Sequence, residues 1–123
     1  MFTSKYNSKT GILETKFYNK VCLTDIIEYA HFIKNYSSHS KLLKIITNLS
    51  NTEFDFSVND LKKINNEAEK PIKTSNCIVN AIIADNPQTT AFSIIYNDLI
   101  QSKDYFANIF CSKSETLKWI NSY

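Results

Sequence analysis

Hydrophobic positions along this chain follow two alternating rhythms. Ile12 to Tyr18 alternates partly and is rich in β-formers, the pattern of a half-buried strand. Phe2 to Tyr6 is predicted to pair back on it through Asn7-Ser8-Lys9-Thr10-Gly11. That link is turn-prone and places the sole glycine where φ is positive. Leu42 to Leu49 and Ile78 to Ala84 are mostly apolar runs of strand length, typical of central parallel strands covered on both faces. Tyr105 to Cys111 reads as the last strand.

Between the strands the apolar spacing becomes helical. A first helix is predicted from Thr24 as N-cap, with Asp25 and Glu28 suited to the positive end of its dipole. Ile26, Tyr29, Ala30, Ile33 and Tyr36 form its stripe, and Ser37-Ser38-His39-Ser40 ends it. Ser57-Val58-Asn59-Asp60 has capping-box spacing and opens a second helix with Leu61, Ile64 and Ala68 inward, stopped by Pro71. Asn86-Pro87 opens a third, whose inner face is Phe92, Ile95, Tyr96 and Leu99. Ser112-Lys113-Ser114-Glu115 is a second capping box before a short helix carrying Leu117, Trp119 and Ile120. Strands alternating with helices predict an α/β domain over residues 1–123. Its mainly parallel sheet of four to five strands would be flanked by about four helices, with right-handed crossovers.

Composition narrows the function classes. Every basic residue is Lys, so bidentate Arg recognition of guanine, carboxylate or phosphate is excluded. One glycine cannot build a glycine-rich phosphate loop. A net charge of +2 spread along the chain makes no nucleic-acid footprint. The longest mostly apolar stretch without a charge, Cys77 to Ala84, is far short of the ~20 residues that span a bilayer. Met1 to Thr10 lacks the apolar run of a secretory signal, so a cytoplasmic protein is expected.

Candidate chemistry is sparse. Cys22, Cys77 and Cys111 are odd in number, widely spaced and without C-x-x-C, which indicates neither a disulfide framework nor zinc. Cys22 and Cys111 precede helices whose dipoles lower a thiol pKa, but all three cysteines are expected as small buried hydrophobes. His31 and His39 have no metal-binding spacing, and no serine sits in a G-x-S-x-G elbow. In an open α/β sheet, function collects beyond the carboxyl ends of the strands. Those ends are Ser50-Asn51 through Asp55-Phe56-Ser57, then Asp85-Asn86, then Ser112. Phe54 and Phe56 are two aromatics in a polar loop, expected to fold under as a lid on the core.

Two stretches carry a family resemblance. Ile109-Phe110-Cys111-Ser112-Lys113-Ser114-Glu115-Thr116-Leu117-Lys118-Trp119-Ile120 is similar to the closing strand, turn and leucine-tryptophan helix of the SpoIIAA-like STAS domains, the anti-sigma-factor-antagonist fold. Leu42 to Asp60 resembles their strand ending in D-L-S and the following F-x-D-S-S-G stretch, with Phe56 in place of the aspartate and Val58-Asn59 in place of the serine-glycine pair. The resemblance implies a small mixed sheet flanked by helices, no catalytic centre and no cofactor. It places the phosphorylatable serine at Ser57, where a phosphate would meet a helix N-terminus.

The leading expectation is therefore a non-enzymatic binding or regulatory module that meets a protein partner around Ser57, Asp55 and Ser50. The alternative is a carrier or sensor of a small apolar ligand held by Phe54, Phe56, Phe92 and Tyr96. An enzyme, third in order, would have to use Asp85, Ser57 or Cys111. The sequence also leaves room for a homodimer through a sheet edge or the surface of the third helix.

Overall fold

A computed structural model describes residues 1–37, 42–63, 77–99 and 104–123 of the chain. Its strands are β1 (Phe2–Asn7), β2 (Ile12–Phe17), β3 (Asn19–Val21), β4 (Leu43–Asn48), β5 (Thr52–Phe54), β6 (Ile78–Ile83) and β7 (Tyr105–Phe110). Its helices are α1 (Leu23–Ser37), α2 (Val58–Lys63), α3 (Pro87–Leu99) and α4 (Lys113–Ile120). Five strands form one sheet in the order β1-β2-β4-β6-β7, and β3 pairs with β5 in a separate ribbon. The large sheet is mixed: β2, β4, β6 and β7 run parallel, and β1 lies antiparallel on the β2 edge. The predicted hairpin is present, with Gly11 at φ +72°.

The strands divide their side chains between two faces. Leu13, Ile45 and Ile78 pack with Ile33 and the rings of α1 on one face. Ile12, Ile46, Val79, Ala81 and Ile83 pack with Ile120 of α4 on the other. All six residues of β6 are buried, as a central strand covered on both sides requires.

The β3–β5 ribbon is absent from the sequence reading, and two asparagines build it. Asn19 and Asn51 adopt φ of 57° and 59° just after β2 and β4. Asn tolerates this left-handed conformation better than other residues with a Cβ. Each turn redirects its chain at the end of a parallel strand, and the two short segments then pair as Asn19↔Thr52, Lys20↔Glu53 and Val21↔Phe54.

Other expectations change at the helix ends. Helix α1 starts at Leu23, not after Thr24. Asp25 reaches back to accept the Cys22 N–H at 3.0 Å, so Cys22 occupies the cap. Ser112 does stand at the N-cap of α4, but its side chain makes no capping bond; its hydroxyl lies 3.3 Å from that of Ser114. Cys22 and Cys111 are exposed rather than buried, and Cys77 is half-buried. The inner face of α3 also carries polar residues that helical spacing of aromatics did not reveal, since Thr89 and Ser93 are buried. Ser38 to Ser40, Ile64, Ala68 and Pro71 lie outside the described residues. No helix among the described residues is long and apolar enough to cross a membrane.

Candidate functional site

The segment from β5 into α2 lies over the end of the core beside α3. Phe54, Phe56 and Phe92 meet there as a triangle of rings, with centroids 5.1, 5.4 and 5.6 Å apart. Helix α3 fixes the β5 side of this roof. The Gln88 side-chain amide accepts the Phe54 N–H at 3.1 Å and donates to the Phe54 carbonyl at 3.2 Å. Asn86 donates to the Thr52 carbonyl at 3.1 Å while its oxygen caps α3 by accepting the Thr89 N–H at 2.9 Å. Asp85 accepts the Asn51 N–H with both carboxylate oxygens, at 3.2 and 3.1 Å.

Beneath the roof is a cavity of about 70 Å³. Phe54, Phe56, Phe92 and Tyr96, the four aromatics suggested by the sequence, all line it, together with Leu61 of α2 and Ile82 of the sheet. None of its lining residues carries a charge. The lid expected of Phe54 and Phe56 is therefore real: both pack onto the cluster of Phe17, Val21, Leu49 and Ile82.

The cavity floor is polar, and this the sequence reading missed. Tyr29 lies 3.0 Å from the Thr47 hydroxyl. Thr47 donates to the Asn80 carbonyl oxygen at 2.9 Å, so the proton between Tyr29 and Thr47 belongs to Tyr29. Asn80 donates to the Tyr105 hydroxyl at 3.1 Å, and Tyr105 donates to Asn97 at 3.3 Å. The chain of bonds crosses β4, β6 and β7 under α1 and α3. Burial pushes the Tyr105 phenol up and also that of Tyr29, where bonds with Thr15 and Thr47 pull the other way. Part of the signal was present in the sequence: Asn80 is the one polar residue of β6, whereas Thr47 shares β4 with Lys44 and Asn48.

The strand-end candidates do not converge. Ser57 and Asp60 form the expected capping box, with Ser57 N–H donating to the Asp60 carboxylate at 3.1 Å and Asp60 N–H donating to the Ser57 hydroxyl at 3.2 Å. Asp55 is exposed, and its N–H donates to the Val21 carbonyl at 2.8 Å. Ser50 faces a different turn, where its hydroxyl donates to Asn48 at 2.6 Å. Asp85 is occupied with Asn51, and Cys111 is exposed after β7. His31 is exposed on α1, and His39 lies outside the described residues. Among the described residues, no three of His, Cys, Asp and Glu gather as a metal site requires.

No protein-family model, curated protein or solved structure matches this chain.

Proposed function

We propose that this chain is a non-catalytic binding module whose site is the cavity under Phe54, Phe56 and Phe92, and whose ligand is a small, mainly apolar molecule. One observation carries the reading. Aromatic residues from β5, from the loop after it and from α3 converge on a single uncharged cavity. A cavity of about 150 Å³ holds benzene, so 70 Å³ admits a smaller body unless the roof lifts. The β5 edge of that roof is held by side-chain bonds that are exposed to solvent, which favours local opening.

Xenon tests the reading, because it enters small apolar cavities without needing a polar partner. Methyl NMR under xenon should shift Leu49, Leu61 and Ile82 while distant Ile120 stays still. A Phe92→Trp variant, which fills the space, should remove the response. Unmoved Leu49, Leu61 and Ile82 methyls in the unsubstituted chain would overturn the proposal. Native mass spectrometry of freshly purified protein then asks whether a ligand is retained.

A second reading is a regulatory contact with a protein partner at the start of α2. The exposed Asp55 and Ser57 favour it, since the reciprocal Ser57–Asp60 bonds hold that surface in one conformation. A pull-down from the native host with Ser57→Asp as contrast tests this. The absence of any partner with either protein would count against it. A STAS-like, SpoIIAA-like fold belongs to the same proposal, supported by the mixed sheet with its antiparallel first strand. So does a cytoplasmic location, supported by three free cysteines, two of them exposed.

A further inference from the structure

Four hydroxyl-bearing side chains line the cavity: Tyr29, Thr47, Ser93 and Tyr96. The protons of three of them are already directed at protein acceptors. Tyr29 donates to Thr47, Thr47 donates to Asn80, and Ser93 donates to the Thr89 carbonyl at 2.7 Å. Tyr96 is different. Its hydroxyl makes no hydrogen bond among the described residues, and its partial burial, with the nearby Tyr105 and Tyr29, holds the phenol pKa well above the ordinary value. The residue is half-buried, and a hydroxyl with no protein partner keeps its proton free to donate. Here it is set in the wall of a cavity whose other hydroxyls cannot donate further.

We propose that the cavity takes the neutral carbonyl end of an otherwise apolar molecule, with the Tyr96 hydroxyl as the hydrogen-bond donor to that carbonyl. This rests on the binding site proposed above and specifies its ligand. The ligand end is an acceptor because the free group is a donor. It is neutral because no lysine, histidine, aspartate or glutamate lines the cavity to compensate a charge taken out of water. It is small: scaled from benzene in a cavity of about 150 Å³, the volume admits about three non-hydrogen atoms, so a four-atom probe must displace the roof slightly. Any tail on the ligand leaves past the Phe54, Phe56 and Phe92 rings, which offer an apolar path.

Acetone and isobutene provide the test, because they share a shape and differ in carrying oxygen or methylene at one position. Both are titrated into the full chain and into Tyr96→Phe, with binding read from the Leu49, Leu61 and Ile82 methyl signals. Tyr96→Phe removes one oxygen and leaves the ring in place, so the fold is retained, and an unchanged Ile120 signal checks this. The preference for acetone over isobutene should fall roughly three- to tenfold in Tyr96→Phe, the range of one ordinary hydrogen bond. Acetate should give no shift in either protein. An acetone-to-isobutene ratio that is the same in both proteins overturns the carbonyl assignment while leaving the binding cavity standing. Acetate binding as well as acetone overturns the requirement for a neutral group. Failure of both acetone and isobutene to bind either protein overturns the cavity reading and this inference with it.

Discussion

Gln88 treats Phe54 as a neighbouring strand would, accepting its N–H and donating to its carbonyl through a single side-chain amide. Helix α3 thereby supplies the hydrogen bonds that an edge strand lacks, and the short β5 gains a fixed position over the cavity.

Replacing Gln88 by Ala should free both backbone groups of Phe54. The bonds are exposed, so water compensates much of their loss, and global stability should fall by only about 0.5–1 kcal/mol. The local effect should be larger: exchange of the Phe54 amide should accelerate well beyond that of Ile82, read by hydrogen exchange and NMR. Equal protection of Phe54 in both proteins would show that β5 is held by its pairing with β3 alone.

Tyr96 and Tyr105 carry the same group and should answer oppositely to its removal. Tyr105→Phe strips the partner from the Asn80 amide and from Asn97, leaving polar groups unpaired beside the core. It should cost about 1–3 kcal/mol in a urea titration. Tyr96→Phe removes a hydroxyl that has no partner among the described residues and should leave stability unchanged or raise it by up to about 1 kcal/mol. A large loss from Tyr96→Phe would show that its hydroxyl is satisfied in solution by a bound water.

These cases show where the sequence was readable. The five strands of the main sheet and the starts of α2 and α3 followed from local grammar, because each strand is a continuous run and each of those helices opens on its own capping group. Asn86 and the Ser57–Asp60 pair act within a few residues of themselves. The β3–β5 ribbon was not readable. Each strand is three residues long, and it exists only because Asn19 and Asn51 turn two parallel strands the same way. The hydroxyl chain was half readable. Asn80 is the one polar residue of β6, but Thr47 sits between Lys44 and Asn48 in β4, and the partners Tyr29 and Tyr105 lie 18 and 25 residues away. The cap of α1 misled because Thr24 is a better capping residue than Cys22; what fixes Cys22 there is its own N–H donating to the Asp25 carboxylate.

Alkaline pH should destabilise the fold through three half-buried phenols. Burial raises the pKa of Tyr29, Tyr96 and Tyr105 above the ordinary value of 10.0, so the native state holds these protons more tightly than the unfolded chain. Their contribution is fully present below pH 10 and is lost as pH rises above it, where the unfolded chain ionises first. Phenolate absorbance from these three should therefore appear together with the loss of near-ultraviolet circular dichroism. Smooth titration of all tyrosines with the dichroism intact would contradict the burial of this cluster.

The acid side depends on a link between β2 and α4. Lys113 Nζ lies 2.7 Å from a Glu14 carboxylate oxygen. That hydrogen bond holds the Glu14 carboxyl below its usual 4.5, against an upward push from burial. A lowered carboxylate pKa stabilises the fold above the unfolded value and loses the effect as pH falls through the folded one. The contribution is therefore complete at pH 7 and is lost as pH falls through the lowered folded value. Lys113 is also the first residue of α4, where its positive charge opposes the helix dipole, and more than half of its side chain is exposed. Both facts keep the net benefit small, so Lys113→Met should cost at most about 0.5 kcal/mol at pH 7 in low salt. The difference should shrink in 1 M salt, where charges more than about 3 Å apart are screened. Once the pH is low enough to protonate Glu14 it no longer attracts Lys113, and relief of the dipole clash should make the variant equal to or slightly more stable than the unsubstituted chain. A deficit in Lys113→Met that stays the same as pH falls from 7 through the titration of Glu14 would show that Lys113 contributes through the packing of its methylene stem rather than through Glu14.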